Sequence, residues 1–515
     1  MARMNLVIIG ILVPLLHLTG ILFAGHAALF ARTSQGAIAW ALSLIFFPYL
    51  SVPLYLVFGR KKFHGYVEAR RRGDRRIDHV ADSLLHALRP FRATLCGESA
   101  RVNALQHLTL LPFTGGNSAD LLIDGQATFD ALFAAIDAAQ RYLLIQFFIV
   151  RDDGLGRALR DRLIARAAAG VRVYFLYDEI GSIRLPASYW AGLRQAGVAV
   201  HPFNTRRGWR NRFQINFRNH RKIVVADGRD AFVGGHNVGD EYLGKSARFG
   251  AWRDTHIHLR GPAVATVQWS FVEDWNWATG AVLELKPLPP PNSPPDSHPA
   301  SGPASSPAPD SPTALTASPA PAPPLPSASS DCGGAAAIVI PSGPADNINT
   351  CTLMFLSLIG SARSRLWITS PYFVPNETVF DALQLAALRG VDVRIMLPAK
   401  PDHVLVYLSS FSFLEEAGTA GVKFYRYRAG FLHQKVLLLD DDVAAVGTAN
   451  LDNRSMRLNF ELTVLLADRP FAAAVEAMLL QDFARCDRAT QGDLKRRGLL
   501  FRVAVRIAGL TAPIQ

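Results

Sequence analysis

The chain has 515 residues, half of them apolar and 19 % charged, which excludes a wholly disordered chain and leaves material for two or three domains. Lys and Arg number 54 against 42 Asp and Glu, a net charge of +12, so the first partners to consider carry phosphate, as nucleic acid or as an anionic membrane surface. Cys96, Cys332, Cys351 and Cys486 form no close pair, which excludes a zinc knuckle or disulfide scaffold and reads as free thiols in a reducing compartment.

Residues 6–31 and 33–59 contain no Asp, Glu, Lys or Arg, and each run is long enough for a helix across a bilayer core, which takes about 20 residues. Arg32 alone carries charge between them. We expect a two-helix transmembrane hairpin over 1–59, because the first run is long for a cleaved signal and the second follows at once. His17 and His26 are expected to face the partner helix or the interface. Arg60, Lys61, Lys62, Arg70, Arg71, Arg72, Arg75 and Arg76 follow the second run. This asymmetry puts both ends of the hairpin, and the chain after it, in the cytoplasm. The basic segment (60–105) is read as lying on an anionic leaflet, or as a topology signal alone.

The soluble part reads as a duplication. Residues 142–150 (YLLIQFFIV) form a buried strand, 155–169 a helix with Leu159, Leu163 and Ala167 on one face, and 171–179 (VRVYFLYDE) the next strand. Residues 366–373 (LWITSPYF), 378–389 and 391–397 (VDVRIML) repeat the pattern. Both helices end in Gly then Val, at Gly170 and Gly390, which suits a C-cap. Such units imply a parallel-rich α/β sheet. Between the halves, residues 287–326 hold 16 of the 32 prolines, an extended insertion that buries no core. The expected division is a first lobe over 106–285, a linker over 286–335 and a second lobe over 336–495. Gly115, Gly116 and Asn117 read as a turn, since no helix with P-loop spacing follows.

The strongest signal is chemical and repeated. His220 and Lys222 are followed by Asp227 and then Gly234, Gly235 and Asn237; His433 and Lys435 are followed by Asp440 and then Gly447, Thr448 and Asn450. Each His-to-Asn separation is 17 residues. In a strand, residues i and i+2 point to one face, so imidazole and ammonium are presented together. Two copies brought together about a pseudo-twofold surround one phosphodiester with two His, two Lys and two Asn. The lysines neutralise the non-bridging oxygens, Asn237 and Asn450 hold the phosphate, one His attacks phosphorus and the other protonates the leaving alkoxide. No metal and no cofactor is called for, because the lysines supply the positive charge. Asp227 and Asp440 belong to the same motifs and are counted with the catalytic set, although their place after apolar strands reads as a loop anchor.

These residues resemble the phospholipase D superfamily, whose signature is the duplicated HxKxxxxD motif. The segments 216–222 (NFRNHRK), 239–243 (GDEYL), 252–256 (WRDTH), 370–375 (SPYFVP), 430–433 (GFLH), 451–455 (LDNRS) and 459–461 (NFE) are similar to its bacterial cardiolipin synthase branch. The resemblance covers the chain except the proline-rich insertion. It implies an α/β fold of two similar lobes with mixed β-sheets flanked by helices, in a multi-pass protein of the bacterial inner membrane. It implies a ping-pong transfer between two phosphatidylglycerol molecules through a phosphohistidine, with His220 as nucleophile and His433 as general acid, then base. It also implies that a carboxylate some 25 to 35 residues after each motif His fixes that histidine's tautomer; Asp254 lies 34 residues after His220, and Glu461 lies 28 after His433. The alternatives are a hydrolytic phospholipase D releasing phosphatidic acid and a membrane-tethered phosphodiesterase or nuclease. The hairpin argues against nucleic acid as partner, and phosphatidylglycerol and anionic lipid are expected instead.

Arg218 is read as reaching a headgroup phosphate or as a surface charge, and Tyr372 and Phe373 as walls of the site or as core. At the C-terminus (496–515), Leu499, Val503, Ile507 and Leu510 form a helical stripe with Arg502 and Arg506 off it, suited to a membrane interface. Phe501, Val503, Val505 and Ile507 also alternate as in a strand.

Overall fold

The computed structural model describes residues 2–31, 34–59, 66, 75–203, 216–283, 285, 334–489, 492 and 496–512. The proline-rich linker and most of the basic stretch after residue 59 lie outside the described residues.

Three apolar helices open the chain: α1 (Ala2–Phe30), α2 (Ser34–Phe46) and α3 (Pro48–Phe58). α1 packs against both others. Gly20 allows the close crossing, since a Cβ there would stand 2.3 Å from the Leu44 carbonyl oxygen. His26 Nδ1 lies 2.7 Å from the Tyr55 hydroxyl, and the His17 and Tyr49 rings meet edge to face at 5.3 Å, so both histidines face the partner arm. The second arm departs from the expected single helix. Pro48 has no N–H to donate, and the arm breaks at Phe47 into two pieces. Among the described residues, one helical stretch, Gly10–Phe30, is long and apolar enough to cross a membrane.

The first half contributes β1 (Thr114–Ile123), β2 (Tyr142–Phe147), β3 (Arg172–Tyr177), β4 (Ala199–Pro202), β5 (Arg218–Asn219), β6 (Ile223–Ala226), β7 (Asp230–Gly234), β8 (Trp252–Arg253) and β9 (Thr255–Arg260). The second contributes β10 (Ala335–Ser342), β11 (Arg365–Thr369), β12 (Phe373–Val374), β13 (Asp392–Pro398), β14 (Lys423–Tyr427), β15 (Phe431–Leu432), β16 (Val436–Leu439), β17 (Val443–Gly447), β18 (Leu451–Asp452), β19 (Asn459–Ala467) and β20 (Cys486–Arg488). The first half runs β1-β9-β7-β6-β2-β3-β4 and the second β10-β19-β17-β16-β11-β13-β14-β20. The orders correspond strand for strand, with β20 added at the far edge. β2, β3 and β4 are parallel, as are β11, β13 and β14; the rest of each path is antiparallel.

The parallel pairs are joined by the helices that the sequence pattern predicts. Gly154–Ala168 starts at Asp153, whose carboxylate accepts from Gly156 N at 3.0 Å, and Glu377–Leu388 starts at Asn376, whose side chain accepts from Val379 N at 2.9 Å. Gly170 and Gly390 follow with φ of 85° and 90°, the left-handed turn that closes a helix.

The lobes do not keep separate sheets. β1 pairs antiparallel with β10, fusing both halves into one sheet of sixteen strands. Gly115, Gly116 and Asn117 are therefore not a turn. They form an irregularity inside β1, where the Asn117 side chain donates to the carbonyls of Thr114 (2.6 Å) and Ala335 (3.1 Å) and holds the seam. One hydrophobic core is shared, with Trp275 and Phe271 of the helix Ala263–Thr279 beside Val475 and Leu479 of Arg469–Phe483. Ala93, Leu95, Val102, Leu105 and Phe113, which precede β1 in sequence, pack into the core of the second lobe.

Candidate active site

The two short strands before the motif histidines pair across the molecule. β5 runs parallel to β19, with Asn219 opposite Phe460; β15 runs parallel to β8, with Leu432 opposite Arg253. Each ladder extends by one bond: His220 N donates to Phe460 O (2.9 Å), and His433 N donates to Arg253 O (2.8 Å). The next residues on the partner strands are Glu461 and Asp254. His220 Nδ1 consequently lies 2.9 Å from Glu461 Oε2, and His433 Nδ1 lies 2.6 Å from Asp254 Oδ2. Both expected carboxylates reach a motif histidine, but the assignment by spacing is corrected. Each acid serves the histidine of the other lobe. Asp254 is fully buried, and the neighbouring Arg253 forms a two-point pair with Asp482 at 2.8 and 2.7 Å.

Residues 220–222 and 433–435 lie between strands, not within them: His220 N and His433 N bond to the opposite lobe, while Lys435 O accepts from Gly447 N of its own lobe (3.2 Å). Lys222 Nζ donates to His220 O at 2.6 Å, and Lys435 Nζ donates to His433 O and lies 2.8 Å from His433 Nδ1. Among the described residues neither His Nε2 has a hydrogen-bond partner, and neither atom is sealed from solvent. With Nδ1–H donated to a carboxylate, Nε2 presents its lone pair outward.

The surroundings of the two acids differ. Glu461 also accepts from Thr448 Oγ1 (2.5 Å), Ser455 Oγ (2.8 Å) and Asn459 Nδ2 (3.2 Å). Gly235 stands where Thr448 stands in the other lobe, and a Cβ there would fall 1.9 Å from Asp254 Oδ1. Glycine at 235 leaves the space that Asp254 occupies.

Burial governs the charges. It lowers Lys222 to about 7 and Lys435 to about 8, against the pull of Glu461 and Asp254. Burial, then Lys435, lowers His433 to about 4, and burial lowers His220 with Glu461 opposing. Burial raises Asp254 and Glu461, but Lys435 with His433, and His220 with Lys222, outweigh it and hold both carboxyls below their usual range. Lys435 acts on His220 and Lys222 on His433, so the two motifs share one electrostatic site. An anion entering it restores the lysine charges and makes a histidine easier to protonate.

Asn237 and Asn450 are both buried here. Asn237 Oδ1 accepts from Ile149 N (3.1 Å) and its Nδ2 donates to the Tyr242 hydroxyl (3.0 Å). Asn450 Nδ2 donates to Asp452 (3.2 Å), while its Oδ1 is buried with no partner among the described residues. Each amide retains one N–H beyond the bond it makes to a protein oxygen.

Residues 132–248 and 355–483 match the family described as "Cardiolipin synthase, PLD-like domain", and residues 21–60 match "Phospholipase_D-nuclease N-terminal". Cardiolipin synthase A of Pseudomonas putida (strain GB-1) is 49 % identical over 510 residues, 98 % of each chain. The chain belongs to the cardiolipin synthase family of phospholipase D-like proteins. Cardiolipin synthase A of Pseudomonas aeruginosa (strain LESB58) is 48 % identical over 98 % of this chain and 96 % of its own. The fold is also that of phosphatidylserine synthase from Haemophilus influenzae, at a TM-score of 0.57 and 16 % identity, covering 81 % of this chain and all of that one. Membership makes the chain a phosphatidyltransferase.

The aspartates of the cardiolipin synthase motif stand apart from the histidines, at the other end of β6 and β16, which corrects their place in the catalytic set. Asp227, with φ 55°, accepts from the backbone N–H of Gln140 (2.8 Å), Arg141 (2.7 Å) and Tyr142 (2.9 Å). Asp440, with φ 49°, accepts from Ser364 N (2.8 Å), Arg365 N (2.9 Å) and Arg101 (2.8 Å). Asp227 fastens the start of β2 and Asp440 that of β11, the antiparallel neighbours of β6 and β16. Phe373 is fully buried core, Tyr372 donates to Asp402 at 2.6 Å, and Arg218 donates to Phe217 O at 2.9 Å.

Sequence reasoning missed the support behind His220. Asp274, fully buried, binds Arg221 (3.0 Å), Gln146 (2.8 Å), Asn219 (2.8 Å) and the Tyr66 hydroxyl (3.1 Å). Tyr66, eight residues after the apolar helices end, packs with Phe203, Phe217 and Trp277 of one lobe and Phe460 of the other. Asp482 holds Gln434 and Arg253 on the other side. The signal available was pattern: Asp274 and Asp482 each lie on the helix following their lobe's orienting acid.

Proposed function

We propose that this enzyme joins two phosphatidylglycerol molecules into cardiolipin and glycerol by two in-line displacements. The observation that carries the reading is the pair of crossed His–carboxylate contacts, each leaving Nε2 open beside a buried lysine. In the first displacement His220 Nε2 attacks phosphorus, the P–N bond forms, and the bond from phosphorus to the glycerol headgroup oxygen breaks. His433 gives that oxygen its proton, and free glycerol leaves. In the second, His433 takes the proton from a headgroup hydroxyl of another phosphatidylglycerol. That oxygen attacks phosphorus and the P–N bond breaks. Lys222 and Lys435, with the remaining N–H of Asn237 and Asn450, offset the negative charge gathered on the non-bridging oxygens.

In this reading α1 and the α2–α3 arm both cross the inner membrane, and the lobes lie in the cytoplasm. The charge asymmetry supports it: Arg32 in the loop against eight Lys and Arg over 60–76. The test is to incubate the full-length protein in detergent micelles with labelled phosphatidylglycerol and EDTA, beside His220→Ala. Cardiolipin and free glycerol, both lost in the variant, are expected. Phosphatidic acid alone would replace this reading with hydrolysis, and no lipid product would overturn it.

A further inference from the structure

The C-terminal residues form the helix Leu499–Leu510, and the strand-like alternation is not realised. One face packs inward on the helix Val404–Thr419. Val505 and Ala508 are buried, the Phe501 ring meets Phe411 edge-on at 5.3 Å, and Gly509 lies so close that a Cβ would be 3.2 Å from Ser412 Oγ. The opposite face is apolar too and open to solvent: Leu500 is 86 % exposed and Leu510 82 %, with Leu499, Val503 and Ile507 beside them. Surface helices of globular proteins normally turn a polar face outward.

We propose that this outer face is a docking surface for an anionic bilayer, set beside the active site. Exposed Arg502 and Arg506 border the apolar stripe, and from Lys495 to the end there are five basic residues and no Asp or Glu. Apolar side chains bordered by guanidinium groups suit the boundary between acyl chains and phosphate headgroups. A second copy related by a twofold would instead set these like charges against each other. The position fits delivery of a lipid. Asn453, three residues after Asn450, donates its side-chain N–H to Ala512 O at 3.1 Å, tying the chain just past the helix to the segment that carries Asn450. Val404 and Leu405, at the start of the packing partner, are likewise exposed apolar side chains.

The inference rests on the reading of the substrate as a membrane lipid, and the experiment separates the two. Full-length protein with Cys96, Cys332 and Cys486 changed to Ser carries an environment-sensitive fluorophore at Leu500→Cys or at Asp161→Cys. It is reconstituted in vesicles of equal parts phosphatidylglycerol and phosphatidylcholine containing spin-labelled lipid. We expect quenching at 500 and none at 161. Leu500→Glu with Ile507→Glu is expected to lower turnover of vesicle phosphatidylglycerol about tenfold, while turnover of a short-chain, water-soluble phosphatidylglycerol stays within about twofold. A label at 500 as water-exposed as that at 161, or equal turnover on vesicles, overturns the surface. Shielding at 500 that depends on protein concentration without vesicles assigns the face to a second copy and also overturns it. If the unsubstituted enzyme turns over neither lipid, the substrate reading fails while the quenching still decides the surface.

Discussion

His220 and Glu461 are 241 residues apart in the chain and 2.9 Å apart at the site. His433 and Asp254 stand in the same relation, in the opposite sense. Neither lobe holds a complete histidine–carboxylate pair, so chemistry requires both lobes in the register set by β5 on β19 and β15 on β8.

The crossing predicts that a second-lobe substitution disables the first-lobe histidine. Glu461→Gln should keep the fold but lose the fixed tautomer of His220, lowering kcat about a hundredfold. Trapping with labelled phosphatidylglycerol and mapping the modified peptide should show less label on His220. Undiminished label there would separate Glu461 from His220.

Gly235→Ala should act on Asp254. The new Cβ cannot coexist with Asp254 Oδ1 at 1.9 Å, so the carboxylate must leave His433. A loss of about tenfold to a hundredfold in kcat, with a shifted His433 signal in NMR, is the expected result. Unchanged kcat would mean that the carboxylate's position is immaterial.

Asp227→Asn should cost stability and spare chemistry. It tolerates the same positive φ but replaces an ion accepting three backbone N–H groups. A loss of about 1–3 kcal/mol in denaturant unfolding is expected, with kcat of the folded fraction near that of the parent. A large fall in kcat without a fall in stability would return this residue to the reaction.

Lys222→Met should abolish turnover yet stabilise the fold in a pH-dependent way. Lys222 drops from its ordinary 10.5 to about 7 on burial, so the unfolded chain binds the extra proton between those values. The lysine protein therefore gains stability as pH rises from about 7 to 10.5, and the full cost of burying its charge is felt below 7. The advantage of Met, measured by Tm, should be largest at pH 6 and shrink toward pH 10. For the unsubstituted enzyme, kcat/KM should fall as pH rises past about 8, where both lysines lose charge. A stability difference that does not change with pH would remove the buried charge from the argument.

Local features were legible in the residues alone. The duplicated His, Lys and Asn spacing, the strand–helix–strand units closed by Gly170 and Gly390, and the apolar N-terminal runs each depend on neighbours within a turn or a strand. A residue such as Asp254, by contrast, offers the sequence reader two histidines and no way to choose between them. Only the tertiary structure decided that choice, because it depends on which short strand pairs with which across the molecule. The same long-range pairing fused β1 to β10, and packing against the finished sheet placed residues 93–113 in the second lobe's core. It also placed Asp227 and Asp440 at the far end of their strands from the chemistry. Sequence spacing constrains distance along the chain, while β-pairing and shared burial set distance in space, and the site is made by the latter.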